Sequence, residues 1–176
     1  MVANTLTTPI TTGEEPLVLG QLKQEDRIHE VEFYYPLAYP VDGALKIPDL
    51  DIVEGRRCFI RGFVDLVFRH NGKFFIADWK SNRLDGGYGR KSLDDCMIAA
   101  GYQMQYKLYT VAVLRWLQQA FGDQFDAAGQ FGGVFYFFLR GMGTGNGNGV
   151  YFVPPAELGT LAHLESEITA RLSGSD

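Results

Sequence analysis

Residues 59–80 read FIRGFVDLVFRHNGKFFIADWK and hold three side chains that could act together: Asp65, Asp78 and Lys80. Two neighbouring carboxylates resist joint ionisation, and the usual remedies are a shared proton or a bound divalent cation. Hard cations such as Mg²⁺ select carboxylate oxygens. A lysine beside such a pair would hold a nucleophilic water or steady negative charge growing on a phosphate.

Whether the three meet depends on the elements that carry them. The runs FIRGFVDLVF and KFFIADWK flank His70-Asn71-Gly72-Lys73. Asn-Gly between alternating apolar runs predicts a β-hairpin, because a type I′ turn needs φ > 0 at both central residues. With Asn71 and Gly72 as the loop, every opposed pair sums to 143, and Asp65 falls opposite Asp78. That register sets their Cβ atoms roughly 4.5–5.5 Å apart on one sheet face. Period-2 alternation adds Lys80 to the same face. The plain alternative is two edge carboxylates pointing into solvent. Their setting in Phe/Val/Leu/Ile-rich strands, which should be half buried, favours the functional reading.

The remaining elements read as follows. Residues 28–35, IHEVEFYY, alternate as a strand, with Glu30 and Glu32 on one face and Val31 and Phe33 on the other. Residues 36–55, rich in proline and glycine, read as a connecting loop, and 81–91 as a polar, mobile segment. A single long helix is predicted from Ser92 to Phe121, with Ser92 and Asp95 as a weak capping box and Gly122 as the stop. Tyr102, Gln105, Tyr109, Ala112 and Trp116 recur along it at helical spacing, a pattern that suits core packing. Gln105 is the odd member, since a buried amide needs a hydrogen-bonding partner. Residues 131–140, FGGVFYFFLR, predict an interior strand. Gly141–Gly149 is a glycine loop without the Gly-Lys-Ser/Thr of a phosphate-cradling loop. A short strand at 151–153 and a helix over 155–172 close the chain. The order argues for an α/β or α+β domain with one mixed sheet.

Composition narrows the function classes. The 176 residues suit one domain, preceded by a Thr/Pro/Gly-bearing arm over 1–27 that reads as flexible. A net charge of −5 argues against a free-standing, high-affinity nucleic-acid binder. Yet nine of the 16 lysines and arginines fall between Arg56 and Lys91, around the proposed site, which is compatible with a polyanion. Cys58 and Cys96 form no disulfide framework or CxxC pair, so free thiols in a reducing cytoplasm are expected. No run approaches the ~18 apolar residues of a membrane helix, and the N-terminus lacks a secretory pattern. His29, His70 and His163 have no HxxxH spacing, which leaves zinc-enzyme and serine-hydrolase readings unsupported.

Gly62-Phe63-Val64-Asp65, a hairpin, then Asp78-Trp79-Lys80 resemble the signature of the PD-(D/E)xK nucleases. More narrowly, GFVDLVFRHNGKFFIADWKSNRL, YQMQYKLYTVAVLRWL and FGGVFYFFLRG, in that order, resemble the C-terminal nuclease domain of the RecB subunits of exodeoxyribonuclease V. The resemblance implies a restriction-endonuclease-like core with a mixed central sheet flanked by helices, over 28–176. It implies a Mg²⁺-dependent nuclease acting on single- and double-stranded DNA during break repair, with RecC- and RecD-type subunits as partners. By the same resemblance Asp65, Asp78 and the Trp79 carbonyl are metal ligands and Lys80 orients water or stabilises charge. Glu30 is the upstream acidic residue, with Glu32 as the alternative on that strand. Gln105 and Tyr109 match the family's QxxxY motif and would hold the DNA strand or the lysine. The family's upstream helix with a metal-binding histidine has no counterpart in residues 1–27, so a fragment or a naturally shortened domain is expected. The alternative reading is an impaired or DNA-guiding, partner-docking module of a helicase–nuclease complex.

Overall fold

The structure, a computed structural model, describes residues 2–11, 16–37, 47–53, 58–143 and 149–173. A short helix α1 (Val2–Thr7) and an antiparallel strand pair, β1 (Ile10–Thr11) and β2 (Pro16–Leu17), come first. Strands β3 (Arg27–Pro36) and β4 (Leu50–Val53) lead into β5 (Phe59–His70) and β6 (Lys73–Lys80). Helices α2 (Arg90–Ala99), α3 (Tyr102–Phe121) and α4 (Ala127–Gln130) follow. Strands β7 (Phe131–Phe138) and β8 (Val150–Val153) and helices α5 (Pro155–Leu158) and α6 (Leu161–Leu172) complete the fold.

The main sheet runs β3-β5-β6-β7-β8, with β4 added to β5. Its β6–β7 pair is parallel and the others antiparallel, so the sheet is mixed, as the element order predicts. β7 is buried at every position, which explains its unbroken apolar run. One face of the sheet packs against α2, α3 and α6 through Ile76, Leu108, Tyr109, Val134 and Ile168. The other packs Phe68, Phe75 and Phe135 against Ile10, Leu17 and Leu19. The N-terminal stretch expected to be a loose arm thus covers a sheet face, because its few apolar residues meet one. Among the described residues no helix is long and apolar enough to cross a membrane.

The hairpin turn has Asn71 at φ 49° and Gly72 at φ 75°, both left-handed as a type I′ turn requires. Pairs from His70↔Lys73 to Leu66↔Ala77 keep the predicted register. There the ladder stops, one pair short of Asp65 and Asp78. β3 occupies one edge of β5 from Phe59 to Phe68, skipping only Glu30, the position facing Asp65. On the opposite edge β4 pairs with residues 59–62, and β6 with 66–70. β5 is therefore the stem of a fork, and Asp65 stands where the two tines part.

Several expected elements differ. The 36–55 loop contains β4; residues 38–46 and 54–57, including Arg56 and Arg57, lie outside the described residues. The single helix over 92–121 is two, because Gly101 takes φ 72° between α2 and α3. Gly89 is the N-cap of α2, and Ser92 instead donates to the Gly86 carbonyl. The closing helix breaks at Gly159 (φ 74°), after which Thr160 caps α6 by accepting from the His163 N–H. The segment after β6, expected to be mobile, is tied down: Tyr88 donates to the Asn82 carbonyl and Tyr102 to the Asn82 side chain. Of the glycine loop, residues 144–148 lie outside the described ones.

Candidate active site

Alternation along β6 sends Ile76, Asp78 and Lys80 toward α3, and Phe75, Ala77 and Trp79 to the other face. Asp78 and Lys80 are buried, and Trp79 stacks on Phe137 with centroids 5.1 Å apart. The ladder pairing expected for Asp65 opposite Asp78 is not formed. Val64 and Val67 both pack toward α3, while Leu66 and Phe68 pack away from it, so the alternation of β5 slips at Asp65. Glu30, opposite, has φ 52°. This paired irregularity lets Asp65 leave the ladder and accept the Trp79 N–H at 2.8 Å. The carboxylate takes the place of a missing strand carbonyl.

Lys80 lies between acids. Its Nζ is 2.7 Å from Asp78 Oδ2 and 2.8 Å from Asp49 Oδ2. The rings of Tyr102 and Tyr136 lie 4.2 and 5.4 Å from the same ammonium. Burial alone would lower the lysine pKa, but Asp78 and Asp49 outweigh it and the net shift is upward. Burial raises Asp78 most, Lys80 opposes it, the charge of Asp65 adds to it, and the carboxyl ends at about 7. Asp65 is also raised by burial, partly offset by the Trp79 N–H and Lys80. The Lys80–Asp78 contact is short but off the hydrogen-bonding angle, so buried Asp78 Oδ2 lacks a well-aligned donor among the described residues.

Gln105, fully buried on α3, finds the partners its burial demands. Its Oε1 accepts from the Tyr136 hydroxyl at 2.9 Å, and its Nε2 donates to the Pro48 carbonyl at 2.8 Å and to Asp49 at 3.2 Å. Tyr109, one turn on, is buried with its ring edge-on to Phe33 at 5.7 Å, and its hydroxyl has no well-aligned hydrogen-bond partner among the described residues. Burial, reinforced by the charge of Asp78, pushes that hydroxyl far above the ordinary tyrosine range.

The structure thus gathers Asp65, Asp78, Lys80, Gln105 and Tyr109, with exposed Glu30 across from Asp65. Glu32 stands apart on the outer face, accepting from the Tyr34 hydroxyl at 2.9 Å. The sequence reading missed Asp49, Tyr102 and Tyr136. Tyr136 carried a signal, as the one hydroxyl in a run of phenylalanines; Asp49 carried none, since it lies in a proline-rich connection. Among the described residues no three His, Cys, Asp or Glu side chains converge as a ready-made cation cage. The fit to a divalent ion rests on two carboxylates, one with an oxygen lacking a well-aligned donor. This suits Mg²⁺, which keeps several waters and takes one or two protein carboxylates.

Comparison with known proteins gives the family. The family model of the PD-(D/E)XK nuclease superfamily matches residues 14–174. The RecBCD enzyme subunit RecB of Haemophilus influenzae is 36% identical over 162 residues, which cover 85% of this chain and 13% of that protein. RecB of Escherichia coli K12 is 35% identical over 146 residues, 74% of this chain and 12% of its own. RecB of Mycolicibacterium smegmatis is 30% identical over 195 residues, with 86% and 18% covered. The chain therefore spans less than a fifth of the length of these relatives. On these matches and its mixed α/β core, the chain belongs to the PD-(D/E)XK nuclease superfamily, as a RecB-type nuclease domain.

Proposed function

We propose that this domain hydrolyses DNA phosphodiester bonds with Mg²⁺, in the setting of a RecB-type helicase–nuclease. The observation that carries the reading is the buried Asp78–Lys80 pair beside Asp65 at the fork of the sheet. Asp65 and Asp78 would hold the cation, with the Trp79 carbonyl as a further oxygen. When bound, the ion lowers the pKa of water and offsets charge on the phosphate. Lys80, kept protonated by its acidic neighbours, presents positive charge where negative charge grows on the scissile phosphate. Gln105 fixes the approach to Lys80, Tyr109 packs behind Asp78, and Glu30 supplies an acidic group across from Asp65.

An open groove of about 570 Å³, lined by Asn82, Arg83, Leu84, Asp85, Asp95 and Cys96, lies between the segment that follows β6 and α2 and would offer a path for a strand. The substrates proposed are linear single- and double-stranded DNA, the partners RecC- and RecD-type subunits, and the place of action the cytoplasm, in break repair. The test is Mg²⁺-dependent release of nucleotides from linear DNA. Asp78→Ala and Asp65→Ala should each lower kcat by at least about a hundredfold. Equal rates for wild type and Asp78→Ala would refute the reading.

A further inference from the structure

Among the described residues Lys80 has two acidic partners, and the proposed chemistry engages only one of them, Asp78, with the cation. A cation held by Asp78 competes directly with the ammonium 2.7 Å from the same carboxylate. A buried ammonium that loses its counter-ion is strongly unfavourable, so Lys80 would leave the site unless a second anion held it. Asp49, 2.8 Å away on the other side, is that anion. We propose that Asp49 is a positioning residue whose carboxylate keeps the Lys80 ammonium in place once Asp78 is engaged; this rests on the nuclease reading above.

Asp49 is mounted for such a task. Ile47 is buried in the core two residues before it, and β4 begins at Leu50 and pairs with β5 directly after it. The left-handed φ of 58° aims the side chain from this turn, a conformation aspartate tolerates. Gln105 Nε2 bonds both the Pro48 carbonyl and Asp49 Oδ2. Because a carbonyl can only accept, the Pro48 contact fixes which end of the amide faces Asp49. The fork brings this about: β4 and β6 share one edge of β5, so the start of one tine meets the end of the other.

The test reads the Lys80 ammonium in ¹H–¹⁵N spectra of metal-free protein, where a held ammonium gives a resolved signal. In Asp78→Asn, which removes the Asp78 charge as a bound cation would, the Lys80 signal should persist. In Asp78→Asn with Asp49→Asn it should vanish. Loss in the first variant, or persistence in the second, overturns the proposal. Asp49→Ser in place of Asp49→Asn gives the same contrast if the amide misfolds. In the activity arm, Asp49→Asn should lower kcat on linear DNA with Mg²⁺ by about tenfold or more, with KM changed less than about threefold. Wild-type kcat in that variant also overturns it. Absence of cleavage by the wild type would instead sink the nuclease reading, and the metal-free spectra would still decide Asp49.

Discussion

Asp78 is where burial and charge disagree most. Its carboxyl is raised to about 7 in the fold, so ionisation is disfavoured there relative to the unfolded chain. The sign follows: its stabilising contribution is complete below the ordinary carboxylate pKa and is lost as pH rises through about 7. In cation-free protein Asp78→Asn should be the more stable form at pH 8, by on the order of 2–4 kcal/mol. The gap should close as the pH falls toward 4. Urea denaturation of both forms across that range checks it, and a wild type that is the more stable at pH 8 would contradict the burial argument. A site that stores such strain suits a function in which an arriving cation relieves it.

At the scale of elements, the fork depends on β4 lying flat against β5, and Gly62 permits that. A Cβ there would sit 2.1 Å from Leu50 Cδ2 and 2.8 Å from the Phe33 ring. Gly62→Ala should therefore destabilise the fold by about 1–3 kcal/mol and speed amide exchange in β4. Gly72→Ala is the control: its φ is 75° but nothing lies within 4 Å, so only backbone strain of about 1–2 kcal/mol is expected. Denaturation midpoints and hydrogen exchange separate the two, because only Gly62→Ala should loosen the turn that carries Asp49.

Across the whole molecule the central strands β6 and β7 are covered on both faces, and the second cover is the N-terminal segment. Leu17 is fully buried against the cluster that includes Phe68 and Phe135. Leu17→Ala should cost about 2–5 kcal/mol, as a core truncation does, measured by chemical denaturation. A loss within about 0.5 kcal/mol would mean that the segment is a surface appendage after all. Covering this face matters to the site, since Trp79 and Ala77 alternate with Asp78 along the same strand. Whatever holds them holds the register of the acids.

Local chemistry made much of this legible from the chain alone. Asn71-Gly72 set the hairpin, its register followed by counting, and the unbroken apolar run of 131–138 announced a strand buried on both faces. Alternation on β6 likewise placed Asp78 and Lys80 together, because a side-chain period of two needs no tertiary information. What counting could not see was the end of the ladder. Asp65 leaves its predicted pairing because β5 changes partner from β6 to β4, and that exchange depends on a strand hidden in a proline-rich connection. The helix break at Gly101 escaped periodicity for a related reason: one left-handed residue redirects the chain while the apolar spacing on either side stays helical. Asp49 is the clearest case. It lies 31 residues from Lys80 in sequence, and only the packing of two strands on one edge of a third brings its carboxylate to the ammonium.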